Sequence, residues 1–227
     1  VLPKSAAPRV GTIRLAGGSA TFVADPAAMV AAKGVPVSTL ALRSDAEGEA
    51  TVLVHGSVSF YVIRRSERLA VRIKDSRADA LAKFAGLDYY AVDPRWRVEA
   101  RFEPATKPVE IDVPNALGFT EKIASPGHVV FELGGVRHRL LALDDTGDGR
   151  LFLVFGDKTN GRDTYGGGRF LYADAPVDGR VTVDFNRAYN PPCVFSPYAT
   201  CPLPPAGNRL PLAVEAGEKK YALATHS

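Results

Sequence analysis

Residues that usually carry redox or metal chemistry are scarce in this 227-residue sequence, which has two cysteines, one methionine and four histidines. Two thiols are too few for a disulfide scaffold, although Cys193 and Cys201 stand close enough for one bridge. There is no Cys-x-x-Cys, and His55, His128, His138 and His226 lie far from both cysteines, so zinc-ligand spacing is missing. The turn Asp144-Asp145-Thr146-Gly147-Asp148-Gly149 imitates the start of a calcium loop, but Phe155 stands where the bidentate Glu belongs. No metal and no cofactor are expected. Long apolar runs are missing too: nothing approaches the ~18 residues of a membrane span.

Charge of one sign is equally absent. The 28 basic and 25 acidic residues are spread along the chain and leave a formal net charge of +3. The tightest basic cluster, Arg64, Arg65 and Arg68, reads as the solvated end of a hairpin. Neither a nucleic acid nor a membrane is an expected partner, and a soluble protein is. The sequence also lacks a Walker pattern, a dinucleotide fingerprint and the Gly-x-Ser-x-Gly of a hydrolase elbow.

What is present is an ordinary globular composition, 46% hydrophobic and 23% charged. A chain of this length can bury one core, so residues 1–227 are expected to form a single domain. The sequence divides into a β-hairpin region (1–75), central strands (76–155) and a loop-rich site region (156–227). The chain opens on Val1, so its native start is expected upstream; a removed signal would leave no trace, and the compartment is open with the cytoplasm slightly favoured.

Short β-rich runs split by Gly and Asp fill residues 11–73, including Val58-Ser59-Phe60-Tyr61-Val62-Ile63 and Leu69-Ala70-Val71-Arg72-Ile73. Trp96–Phe102 alternates apolar with charged residues and is expected to end at Pro104; Val109–Val113, Val129–Leu133 and Val136–Leu143 repeat the pattern. Gly134-Gly135 suits a tight hairpin, and the unbroken Leu151–Phe155 suits a buried strand. No crossover helices of the length a parallel sheet requires are visible. The expected fold is mainly β, an antiparallel barrel or sandwich with long ordered C-terminal loops and one or two short helices, at 77–84 and 26–33.

Beyond Phe155, irregular stretches rich in Gly, Asn, Pro and Tyr are expected in place of strands. Loops this long are uncommon in a compact domain unless functional or disordered, and Phe170, Leu171, Tyr172, Phe185 and Tyr189 argue for order. Gly166-Gly167-Gly168 lets backbone approach a ligand closely, and Arg169 can fork onto a carboxylate or phosphate, or serve a structural ion pair. Six prolines stiffen residues 184–210, and Asp184, Asn186, Asn190 and Asn208 can hold that loop by side chain to backbone bonds.

These stretches resemble a family of bacterial and archaeal proteins, the domain of unknown function 1684. The resemblance rests on Phe-Gly-Asp-Lys-Thr at 155–159, Thr-Tyr-Gly-Gly-Gly-Arg at 164–169, Asp-Phe-Asn at 184–186, Asn-Pro-Pro-Cys at 190–193, Cys-Pro-Leu-Pro-Pro at 201–205, Asn-Arg-Leu at 208–210 and Ala-Gly-Glu-Lys at 216–219. It extends more weakly upstream, through 71–75 and 84–90, to about three quarters of the chain. It implies a shared architecture and site, not a reaction.

Three functions stay open. The first is a site for a small, anionic ligand, catalytic or binding, where the glycine turn meets the proline-rich loop. Its candidate catalytic residues are Asp157, Glu215, Tyr165 and Cys193, with Asp157 or Glu215 as proton acceptor. Arg169, Asn190, Tyr198, Asn208, Arg209 and Lys219 are its candidate ligand-binding residues. The second is a non-catalytic structural or interaction module whose motif residues lock a long loop. The third is thiol redox or metal work at Cys193 and Cys201, which are otherwise buried or hydrogen-bonded thiols. Because a buried guanidinium must be paired, Arg169 is expected within reach of Asp157, Asp184 or Glu215.

Overall fold

The structure, a computed structural model, describes residues 3–65, 68–116, 118–145 and 147–221. His226 and Thr146 therefore lie outside the described residues. The chain packs as two compact units, 1–84 and 85–227.

In the first unit, β1 (Gly11–Ala16), β2 (Ser19–Ala24) and β5 (Thr39–Leu42) form a three-stranded sheet in the order β1-β2-β5. A five-stranded sheet runs β4-β3-β6-β7-β8, from β3 (Ala31–Ala32), β4 (Val35–Pro36), β6 (Leu53–His55), β7 (Val58–Arg65) and β8 (Arg68–Asp75). All pairings are antiparallel. Alternation on β7 turns Val58, Phe60 and Val62 into a core shared with Phe22, Val30 and Leu53, where Phe22 meets Phe60 edge-on at 5.7 Å.

The helix expected at 26–33 is absent. Asp25 instead closes a turn by accepting from the Ala27 amide, and Lys33 and Gly34, both at positive φ, fold β3 back on β4. The helix expected at 77–84 shrinks to one turn, α1 (Asp79–Ala82), which has no side-chain cap.

The second unit is one antiparallel six-stranded sheet, β13-β12-β11-β10-β9-β14. Its strands are β9 (Arg97–Pro114), β10 (Thr120–Leu133), β11 (Val136–Asp144), β12 (Leu151–Phe155), β13 (Arg169–Ala173) and β14 (Arg180–Asp184). Pro104 does not end its strand. The β9–β10 register jumps between Ser125, opposite Val109, and Gly127, opposite Pro104, so the proline sits at an irregularity where its missing N–H costs no ladder bond. The two strands found beyond residue 156 likewise replace the expected irregular chain.

Alternate residues of all six strands enter a single core: Val98 and Ala100, Val129 and Phe131, Leu140 and Ala142, Leu151 and Leu153, Leu171 and Ala173, Val181 and Val183. Only a curled sheet lets one face of six strands share a core, and β13 and β14 come close at its two edges, giving a half-barrel. The opposite face of β12 and β13, bearing Phe152, Val154, Phe170 and Tyr172, lies under Tyr189, Cys193, Ala199 and Cys201 of the proline-rich stretch. Covered on both faces, β12 is buried at all five positions, which explains its unbroken Leu-Phe-Leu-Val-Phe. Full burial of each such side chain is worth about 1.5–3 kcal/mol, so this strap is part of the core rather than an ornament on it.

Candidate functional site

Arg169 opens β13 opposite Phe155, which ends β12, so the guanidinium lies 5.3 Å over the Phe155 ring with none of its side chain exposed. Its Nη2 donates to Asp157 Oδ2 at 2.8 Å and to the Val214 carbonyl at 2.8 Å, and Nη1 donates to the Ala216 carbonyl. Asp157, equally buried, spends its second oxygen on the Thr159 amide (2.8 Å), the Thr159 hydroxyl (2.6 Å) and the Val214 amide (3.2 Å). Of the three acids expected near Arg169, Asp157 is the partner. Asp184 instead caps the short 3-10 helix Phe185–Arg187 and pairs with Arg97 at 3.6 Å, and Glu215 is exposed.

The loop from Asp157 to Tyr165 closes on itself. Asn160 accepts from the Asp157 amide at 2.7 Å and donates to the Thr164 hydroxyl at 2.9 Å and the Tyr165 carbonyl at 3.0 Å, while the Thr159 and Thr164 hydroxyls meet at 2.7 Å. The glycine turn does pack on the proline-rich loop: a Cβ at Gly168, whose φ is +96°, would come within 2.6 Å of Pro204 Cγ.

A second rung holds residues 216–219. Glu218, buried, accepts from the Asn190 amide at 2.7 Å and from Asn190 Nδ2 at 3.0 Å; Asn190 Nδ2 also donates to the Lys219 carbonyl at 2.8 Å. The Tyr89 hydroxyl donates to Glu218 Oε1 at 3.2 Å, and its pKa is raised by burial and by that carboxylate. The Lys219 amide donates to the Asp88 carbonyl at 2.8 Å and its ammonium lies 4.8 Å over the Tyr90 ring. Gly217 must be glycine, because at φ +74° a side chain would strike the Ala188 carbonyl oxygen. Glu218, Tyr90, Thr159, Asn160 and Thr164 were not among the expected site residues; the one signal that could have favoured Glu218 over Glu215 is its place in the Ala-Gly-Glu-Lys motif at 216–219.

Asn208 completes a strand pair. β11 and β12 share one register pair, Leu143 with Phe152. Beyond it, Asn208 Oδ1 accepts from the Leu141 amide at 2.8 Å, and Nδ2 donates to the carbonyls of Leu141 and Val154, each at 2.9 Å. One side-chain amide thus does the work of a missing ladder rung. Next to it, exposed Arg209 lies across Gly156. Tyr198 is 88% exposed and makes no part of either network.

Both cysteines are free thiols. Cys201 Sγ accepts from the Cys193 amide at 3.0 Å, and Cys193 Sγ donates to the Tyr165 hydroxyl at 3.7 Å. Burial, then the neighbouring Cys193, pushes the Cys201 thiol from an ordinary 9.0 up to about 12, and the Cys193 contact and burial push Tyr165 up to about 12. Neither is a nucleophile or base at neutral pH. An acid whose pKa rises on folding holds its proton in the native state while the unfolded chain releases it. Its contribution is therefore full below pH 9 and is lost as pH climbs from about 9 toward 12. Denaturant titrations across that range are expected to show declining stability, and Cys201→Val should flatten the decline; a slope unchanged by that substitution would contradict the assignment. Among the described residues, no group of three His, Cys, Asp or Glu stands ready for a metal, and no helix is long and apolar enough to cross a membrane.

The geometry defines a class: an antiparallel half-barrel bearing an internal Arg–Asp pair and a proline-stiffened strap over its outer face. Residues 82–219 match the family model "Protein of unknown function (DUF1684)", and the chain belongs to that family. The match takes in residues 85–219 of the second unit, 84–90 among the upstream segments, but not 71–75, so it stops short of the expected three quarters. Among solved structures, the chain is similar to the solution NMR structure of an uncharacterized protein of Haloarcula marismortui, with 35% identity and a TM-score of 0.52 over 64% of this chain and 80% of that one. No curated protein matches.

Proposed function

We propose that the motif residues of the C-terminal third are a structural lock, and that the half-barrel is a non-catalytic binding or interaction module. One observation carries this reading: Asp157 and Arg169 are wholly buried, Asp157 Oδ2 takes Arg169 Nη2, and the remaining bonds of the two terminal guanidinium nitrogens and of Asp157 Oδ1 go to Ala216, Val214 and Thr159. A general base must reach the proton it takes, yet all four neighbours of Asp157 are groups of its own chain. Glu215 is exposed at the surface, while Tyr165 and Cys201 keep their protons at neutral pH. Asn190 and Asn208 spend their amides on backbone.

A second reading, an anionic small-molecule site in the same network, is favoured by Tyr90 Oη, Arg169 Nε and Asn190 Oδ1, which are buried without a hydrogen-bond partner among the described residues. Arg169→Lys separates the two. It keeps the charge but loses the planar fork. The lock predicts a loss of ~2 kcal/mol, a fall in melting temperature of roughly 4–8 °C in a chain this size. A melting temperature within a degree of the parent would overturn the lock in favour of the ligand site.

A further inference from the structure

The outer face of β9, β10 and β14 carries a shallow groove of about 690 Å³, a volume in the range of small-molecule sites. Its walls include Arg101, Arg137 and Arg180. Their placement follows from register. The two-residue Asp178-Gly179 turn delivers Arg180 directly opposite Arg101, so two guanidinium groups share one face of adjacent strands. Like charges in that position destabilise a sheet.

Local acids relieve this only in part. Glu103 is shared by three arginines: Oε1 meets Arg101 and, at 3.4 Å, Arg137, while Oε2 meets Arg139 at 3.4 Å. Glu99, on the wall, accepts from the Thr182 hydroxyl at 2.8 Å. Glu132 and Asp178 also line the groove, and neither is paired with Arg180, which has no side-chain partner among the described residues. A cationic pair is thus left at one end of a ligand-sized groove whose other walls bring carboxylates.

We propose that this groove binds a small molecule carrying an oxyanion, phosphate or carboxylate, clamped between Arg101 and Arg180, with hydroxyl or amine donors turned toward Glu99 and Glu132. Guanidinium forks suit an oxyanion in two places, and the carboxylates exclude ligands that are anionic throughout. The site is separate from the lock, so the Arg169 test can fail while this one succeeds.

The experiment uses the full chain, with glycerol 3-phosphate and serine as probes that pair an oxyanion with donors, and ¹⁵N-detected arginine Nε–Hε signals as the readout. At least one probe is expected to shift the Arg101 and Arg180 signals saturably at millimolar concentration or below. Arg180→Glu, at an exposed position, should abolish the shifts and raise the melting temperature by pairing with Arg101. Success with one probe alone identifies phosphate or carboxylate as the recognised group. The proposal is overturned if neither probe shifts these signals, or if shifts persist undiminished in Arg180→Glu.

Discussion

Asp157→Ala is expected to cost about 3–5 kcal/mol, the largest loss any single polar substitution should produce here. The change leaves the Arg169 guanidinium fully buried beside Phe155 with carbonyls but no counter-charge, and leaves the amides of Thr159 and Val214 unmet. In a chain this size that is a fall in melting temperature of roughly 6–20 °C. Chemical denaturation measures it directly, and a loss under ~1 kcal/mol would mean that water or a ligand supports Arg169 instead.

Asn208→Ala is expected to cost about 2–5 kcal/mol by a different route. It removes three hydrogen bonds at once, stranding the Leu141 N–H and the carbonyls of Leu141 and Val154 at the sparse seam between β11 and β12. Amide exchange at Leu141 should accelerate well beyond exchange at Val129 in the centre of the sheet. Asn208→Asp is informative beside it: an ionised carboxylate still accepts from the Leu141 amide but faces two carbonyl oxygens. That variant should be worse than Asn208→Ala near neutral pH and recover in acid, where the protonated carboxyl donates again. Equal stabilities for the parent and both variants would show that Asn208 bridges nothing.

Much of the second unit was legible in the sequence because alternation is a local signal. Val98 and Ala100, Val129 and Phe131, and Leu140 and Ala142 announce their faces within a few residues of one another. The unbroken Leu151–Phe155 announced burial on both sides, though not that residues 189–201 supply the outer cover. Pro104 misled, since a proline reads as an end wherever its ladder bond cannot be seen to be dispensable. The stretch 26–33 misled for a related reason: its alanines suit a helix, but Asp25 and the Lys33-Gly34 turn bind the backbone into a hairpin.

The site was legible in kind and illegible in detail. The cost of burying a guanidinium required an acid for Arg169, and that argument holds from the sequence alone. Which acid turned on where the chain returned, and the return of Val214–Ala216 to the guanidinium is set by backbone contacts such as that of Gly217 with Ala188. The same return buries Glu218 and leaves Glu215 outside, a choice of register that composition does not record. Asn208 was legible as a side chain that bonds backbone, but not as a bridge between two strands, because that role depends on a gap more than fifty residues away.

The most direct test is a double-mutant cycle on the buried pair, using Asp157→Leu, Arg169→Met and the two together, with unfolding free energies measured in denaturant. A lock predicts that each single change is severe, because each strands one charge, and that the double variant regains most of the loss as an apolar pair, giving a coupling energy larger than either single loss, about 4 kcal/mol or more. Losses that simply add, with no coupling between the two positions, would contradict the claim that Asp157 and Arg169 serve the fold through each other.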